Sequence, residues 1–291
     1  VKPSPNPDSD PGDAAPTKGG GRTPPAEAVS HLPQSIKEGA RIDHILTSSG
    51  LATHATSAAV LQPPELDYAS DHYPAMAEFS FPGQESGATA MRIITYNVLE
   101  GILQDRERGD RIATWLTRVQ PDIVAFQELN GFTPDRLRHY ARRWGHHHST
   151  LLKEDGYSTG LTANRPIAPI RRVREGFWHG LLCARTWGIW FYVIHFAPKS
   201  DRHAIRESEA QRVLAEISRE IRQGDPVILL GDFNSLSPRD YPNYDGPYIQ
   251  PIKQFLDAGF IDLVYEKRTG AKCLHSMPTP LIKTQIPPHT S

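Results

Sequence analysis

Apolar residues along this chain fall into short unbroken runs separated by polar turns. The clearest run is Val227-Ile228-Leu229-Leu230, preceded by Gly224-Asp225-Pro226 and ended by Gly231. Four apolar residues in succession predict a strand covered on both faces. Similar runs predict strands over 92–96, 123–126, 181–184 and 189–196, the last two as a hairpin. Further strands are expected over 41–46, 52–61 and 75–81, where Ala75, Ala77, Phe79 and Phe81 alternate with Met76, Glu78 and Ser80. Helical spacing appears three times. Ile112, Trp115, Leu116 and Val119 recur at i, i+3, i+4 and i+7, and the pattern stops before Pro121. Thr133 caps a helix that opens on Pro134, carries Leu137, Ala141 and Trp144, and ends at Gly145. A long helix over 201–223 has the stripe Ala210, Val213, Leu214, Ile217 and Ile221 and stops at Gly224. Residues 149–174 lack a period and read as turns around Gly156-Tyr157 and 164–167, and 255–263 reads as a short helix and strand. The C-terminus trails off in prolines.

The polar groups at the ends of these runs change the picture. Asn97, Glu128, His195, Asp232 and Asn234 each stand at the end of a short apolar strand. Asp232 and Asn234 are two residues apart and so share one side of an extended chain. Gly-Asp-x-Asn also suits an Asx-turn, and any one of these groups alone reads as a solvated loop residue. Five such coincidences together point to a site built on the rim of a rigid sheet.

Composition bounds the partners. The 291 residues give a formal net charge of −1, with 32 basic and 33 acidic side chains, which argues against a nonspecific grip on nucleic acid. No apolar run reaches the roughly 18 residues of a membrane span, so a soluble protein is expected. Residue 1 is Val, so a removed signal peptide would be invisible. Cys183 and Cys273 have no metal-ligand spacing and leave the redox compartment open. Residues 1–38, rich in Pro, Gly, Ser and Asp, are expected to be a disordered tail, and 39–291 a single domain.

The inventory of carboxylates (Glu128, Asp232, Asp43, Asp71), amides (Asn97, Asn234) and imidazoles (His72, His195) lacks cysteine and is rich in oxygen. It suits a hard cation, Mg²⁺, Mn²⁺ or Ca²⁺, and hydrolysis of a phosphate ester. Thr95-Tyr96-Asn97, Gln127-Glu128, Ile194-His195-Phe196, Gly231-Asp232-Phe233-Asn234, Arg41-Ile42-Asp43-His44 and Ser70-Asp71-His72 together resemble the endonuclease/exonuclease/phosphatase superfamily over about 39–265. The resemblance implies an α/β four-layer sandwich, two packed mixed sheets with helices outside. It implies that Glu128 binds a catalytic divalent metal with Asn97 beside it and Asp71 in support. Asp232 would position or deprotonate the attacking water, and Asn234 and His195 would contact the scissile phosphate. His72, oriented by Asp43, would be base or clamp; which of Asp232 and His72 is the base stays open. Tyr157 falls where relatives carry a phosphate-contacting tyrosine, with a core tyrosine as the alternative.

The order of these motifs departs from the superfamily, in which the Asp43-type and Asp71-His72-type motifs come last. Read as 91–291 followed by 39–81, with 82–90 as linker, the chain spells one domain in the usual order, which predicts a circular permutation. The rival is a cut through a tandem repeat, which needs a neighbouring copy to complete the site. Three other features read as structural. His146-His147-His148 cannot all face one ion on a strand. His179, beside a predicted strand, reads as a structural or surface histidine, with reach to substrate as the alternative. Arg202, Arg206, Arg212, Arg219 and Arg222 read as a solvated helix face.

Overall fold

The computed structural model describes residues 39–82, 89–102, 105–268 and 275–277. Two mixed six-stranded sheets carry the fold. The first contains β1 (Asp43–Ser48), β8 (Ala168–Val173), β9 (Leu181–Thr186), β10 (Ile189–His195), β11 (Val227–Asp232) and β12 (Phe260–Asp262), in the order β12-β1-β11-β10-β9-β8. The second contains β2 (Ala55–Val60), β3 (Ala75–Phe81), β4 (Thr89–Asn97), β5 (Ile123–Gln127), β6 (His148–Leu151) and β7 (Gly160–Ala163), in the order β2-β3-β4-β5-β7-β6.

Each sheet has one parallel pair at its centre, β4 with β5 and β10 with β11, and a helix makes each crossover. These are α2 (Arg106–Val119) and α4 (His203–Glu220); a one-turn helix, α1 (Ser49–Ala52), follows β1, and α3 (Pro134–Ala141) follows β5. The helices α5 (Gln250–Asp257) and α6 (Leu263–Glu266) complete the chain around β12. The strand residues are apolar on both faces because each face meets a different layer. Ile228 and Leu230 of β11 and Ile93 of β4 turn inward into a core shared by both sheets. Leu229 and Val227 turn outward under Ala210 and Val213 of α4 and Phe255 of α5. Ile94 and Val124 turn outward under Ile112, Trp115 and Leu116 of α2. The stacking is helix, sheet, sheet, helix, the expected four-layer sandwich.

Helix termini follow the expected chemistry. Asp105 accepts from the amides of Glu107 and Arg108, and Thr133 accepts from that of Arg136. The 52–61 strand is corrected: 49–52 form α1, and β2 begins at Ala55. Residues 149–174, expected as turns, contribute β7 and β8 and most of β6. Residues 275–277 do not trail away: Ala40 pairs with Met277, and the Ser276 hydroxyl accepts from the amides of Ile42 and Asp43. The tail 1–38, Cys273 and most of the expected linker lie outside the described residues; Cys183 is buried and free.

His146 is a buried structural residue. Its Nε2 lies 2.7 Å from the Pro121 carbonyl oxygen, so it carries the proton and donates there. Its Nδ1 accepts from the Thr162 hydroxyl at 2.8 Å and from the Trp144 indole at 3.2 Å. Burial holds this ring neutral and lowers its pKa to about 4. A folded-state pKa below the unfolded value means the stabilisation is complete above pH ~6.5 and is lost as pH falls toward 4. The expected contribution is at most about 3 kcal/mol. His146→Gln should therefore flatten the fall in urea midpoint between pH 7.5 and 5; parallel slopes for the two proteins would exclude the assignment.

Candidate active site

The chain directions of β4, β5, β10 and β11 bring their C-terminal ends to one edge of the sandwich, where antiparallel β1 begins. Asn97 is the last residue of β4, Glu128 follows β5, His195 ends β10 and Asp232 ends β11. Asp43 starts β1 directly opposite Asp232. Ser70-Asp71-His72 lies just before β3. All of these side chains are buried or nearly so.

Side-chain contacts cross from one sheet to the other. His72 Nδ1 lies 2.7 Å from Asp43 Oδ2, and its Nε2 lies 3.7 Å from Asp232 Oδ2. Asn97 Nδ2 donates to Glu128 Oε1 and to Asp232 Oδ2, each at 3.1 Å. The Asn97 oxygen accepts from the Leu99 amide, so this carboxamide ties two carboxylates together with its nitrogen side. The Asx-turn is also present: the Asn234 amide donates to Asp232 Oδ1 at 2.8 Å. Asn234 Nδ2 donates to the Phe196 carbonyl, which leaves its second N–H for another acceptor. The turn and the site are thus one device, in which the turn aims Asp232. Backbone strain marks the same place, with Glu128 at φ 60° and Asn234 at φ 47°.

The electrostatics divide the groups. Burial, with the charge of Asp71 next, pushes Glu128 up to about 7. Burial likewise pushes Asp232 up to about 7, against the opposing charge of His72. Burial would make His72 neutral, but Asp43, Asp71 and Asp232 surround it and hold its pKa well above the usual histidine range. His195 moves the other way: burial, then His179 and His72, keep it well below that range.

A carboxylate cluster of this kind fits a divalent cation, because an ion would remove the repulsion and desolvation that now push protons onto Glu128. Asp43, His72 and Asp232 each offer a ligand atom within 4.8 Å of the others. The 2.7 Å contact from Asp43 to His72 is a hydrogen bond, so within this trio Asp43 and His72 are already joined to each other.

Further contacts surround these groups, and of their contributors Glu100 had no signal in the sequence. The Glu100 amide donates to Glu128 Oε2 at 2.8 Å, and Tyr157 donates to a Glu100 carboxylate oxygen at 3.2 Å. Tyr157 also packs its ring 5.2 Å from that of His179. The Ser70 hydroxyl donates to the Asn97 carbonyl at 2.7 Å. His179, read as structural or surface, is buried and stacked on His195. Arg206 is corrected from the solvated face: it is 1% exposed and donates to the carbonyls of Ala197 and Lys199. A cavity of about 550 Å³ lined by Leu51, Phe81, Arg165 and Trp187 lies at the opposite ends of the strands, away from all of these groups.

Comparison with known proteins settles the family. The model of the endonuclease/exonuclease/phosphatase family matches residues 94–254. The chain belongs to that family. Its members are hydrolases acting on phosphate esters and generally use divalent metal ions. Asn97, Glu128, His195, Asp232 and Asn234 lie inside the matched stretch; Asp43, Asp71 and His72 precede it. No curated protein matches the chain. Among solved structures, an AP endonuclease from Archaeoglobus fulgidus is similar at 19% identity and TM-score 0.45, over 59% of this chain and 72% of that one. A humanised D. rerio TDP2 is similar at 19% identity and TM-score 0.40, over 51% of this chain and 64% of that one. The 3′ phosphatase NExo from Neisseria, bound to a product DNA hairpin, is similar at 18% identity and TM-score 0.42, over 57% and 70%. The chain thus spans less than two thirds of the TDP2 structure. Among the described residues, no helix is long and apolar enough to cross a membrane.

Proposed function

We propose that the protein is a Mg²⁺- or Mn²⁺-dependent phosphodiesterase. The observation that carries this reading is the chain Asp43–His72–Asp232 abutting Glu128 and Asn97 at one edge of the sandwich. Glu128 and Asp71 would hold the ion, which when bound neutralises charge on the phosphate and on the departing oxygen. Asp232, whose carboxyl titrates near neutrality, takes the proton of the attacking water. His72, held cationic by three carboxylates, donates from Nε2 to a phosphate oxygen as its charge grows. His195 and the second N–H of Asn234 offer further donors. The bond from water oxygen to phosphorus forms as that to the alcohol oxygen breaks, and the alkoxide takes a proton from the medium.

Phosphodiester substrates of modest size fit better than a long polyanion, since the chain as a whole is nearly neutral. We further infer a circular permutation. The distance of 3.7 Å between His72 and Asp232 within one chain supports it over the exchange of a segment between copies.

The test is hydrolysis of bis-p-nitrophenyl phosphate with EDTA, Mg²⁺ or Mn²⁺, repeated over a range of protein concentration. Activity should require the metal and be lost in Glu128→Ala by about 10²- to 10⁴-fold. No hydrolysis with any metal, or an unchanged Glu128→Ala protein, would refute the assignment. Constant specific activity on dilution is expected of a site completed within one chain, and a fall on dilution would favour exchange between copies. A panel of plasmid DNA, RNA, sphingomyelin and inositol phosphates then identifies the leaving group.

A further inference from the structure

An imidazole turns about its second side-chain torsion over a broad, two-fold profile, so a histidine that must aim one nitrogen needs something to fix its plane. The usual device is a hydrogen bond from the other nitrogen to a carboxylate or carbonyl. His72 has that device in Asp43. His195 does not. Its Nδ1 is buried and meets no hydrogen-bond partner among the described residues. Its Nε2 lies 3.7 Å from Asp232 Oδ2 and 4.0 Å from Glu128 Oε1, beyond hydrogen-bonding distance. What does meet the ring is His179, face to face, with centroids 4.0 Å apart and planes 15° from parallel.

The segment that delivers His179 is built for this contact. Gly180 has φ +97°, and a Cβ there would come within 2.7 Å of Leu152 Cδ2 and 3.1 Å of the Val173 carbonyl oxygen. Glu209, buried on α4, accepts from the Trp178 amide at 2.7 Å with one oxygen and from the Ala197 amide at 2.9 Å with the other. One carboxylate therefore grips the backbone one residue before His179 and two residues after His195. Arg206, from the same helix, holds the carbonyls of Ala197 and Lys199. Two imidazoles brought face to face this way cannot both be charged, and burial together with His179 keeps His195 neutral. His179 Nε2 is itself buried with no hydrogen-bond partner among the described residues, so the ring face is its visible contact with the site.

We propose that His179 is a positioning residue that fixes the plane of His195 by stacking, doing for it what Asp43 does for His72. The proposal rests on the phosphodiesterase reading for its kinetic consequence and on geometry alone for the stack.

The test compares His179→Phe, His179→Leu and His179→Ala, each also in a His195→Ala background. Hydrolysis of bis-p-nitrophenyl phosphate and the ring proton and nitrogen NMR signals of His195 are followed, with thermal midpoints to verify folding. Leu and Ala should lower kcat about 10- to 100-fold with KM nearly unchanged, while Phe, which keeps a flat ring, should stay within about threefold of wild type. Neither Leu nor Ala should lower the rate further once His195 is Ala. The His195 signals should shift or broaden in Leu and Ala and change least in Phe. A wild-type kcat in His179→Ala would overturn the proposal. So would a Phe protein as slow as the Ala one, because the nitrogen and not the ring face would then matter, and so would losses additive with His195→Ala. If the wild type hydrolyses no phosphate ester, the NMR arm still decides. Unchanged His195 signals in His179→Leu overturn the stack, and displaced signals uphold it while the phosphodiesterase reading falls.

Discussion

Asp232→Asn should lower kcat on a phosphodiester by about 10³- to 10⁴-fold while leaving the fold intact. Asn has the same shape, and one of its atoms can still accept from the Asn234 amide, so the turn after β11 survives. The other position, which now accepts from Asn97 Nδ2 and faces His72 and His195, would become an N–H₂ group. It can neither take a proton from water nor balance the charge of His72. The same substitution should stabilise the metal-free protein above neutral pH. Burial raises the folded-state pKa of Asp232 from 3.8 to about 7, so its ionisation opposes folding progressively as pH rises between those values. Removing the charge at pH 8 should raise the urea-unfolding free energy by about 1 kcal/mol or more. Steady-state kinetics and urea unfolding at pH 8 in EDTA check both halves. A rate within tenfold of wild type would remove Asp232 from the centre of the chemistry, and a lower unfolding free energy would mean that the carboxylate is a structural asset.

Gly231→Ala should cost about 3–5 kcal/mol, enough to bring a domain of ordinary stability near the folding threshold. Gly231 has φ +146°, and a Cβ built on it would lie 1.9 Å from the carbonyl oxygen of Ile194. That oxygen belongs to β10, the parallel partner of β11, in the register that sets Ile194 against Gly231 and His195 against Asp232. No side-chain rearrangement relieves the clash, so the two strands must part where the site is carried. Gly50, whose Cβ would meet open space, serves as the control and should accept Ala with little change. Urea midpoints and the yield of soluble protein check the pair; equal tolerance at both positions would refute the argument.

The central strands were legible because burial on both faces leaves an unbroken apolar run, as in β5, β10 and β11. The strands of 149–174 were not, for different reasons. β7 is buried throughout but made of Gly, Leu, Thr and Ala, too small and mixed to show a run. β8 is an edge strand with Pro169 and a register shift, exposed along much of its length. In the site, groups at strand ends could be found because the sheet sets their position. Glu100, Ser276 and the stacked His179 could not, since each acts through an apposition that only the folded chain creates. Arg206 was misread because it sits on a helix rich in acids. Its guanidinium instead turns to the loop after β10 and donates to the carbonyls of Ala197, which is buried, and Lys199.

Asn97 and Glu128 belong to one sheet, Asp43, His195 and Asp232 to the other, and the Asn97–Asp232, His72–Asp43 and His72–Asp232 contacts join the two across the rim. The distances across the proposed site are therefore set by how the sheets seat on the side chains between them. Catalysis becomes a feeler gauge for that gap. A methyl group deleted from Ile228 or Ile93, both buried between the sheets, is expected to loosen how one sheet seats on the other. On the proposed reading, such a protein should lose hydrolysis of bis-p-nitrophenyl phosphate while its circular dichroism stays that of the wild type.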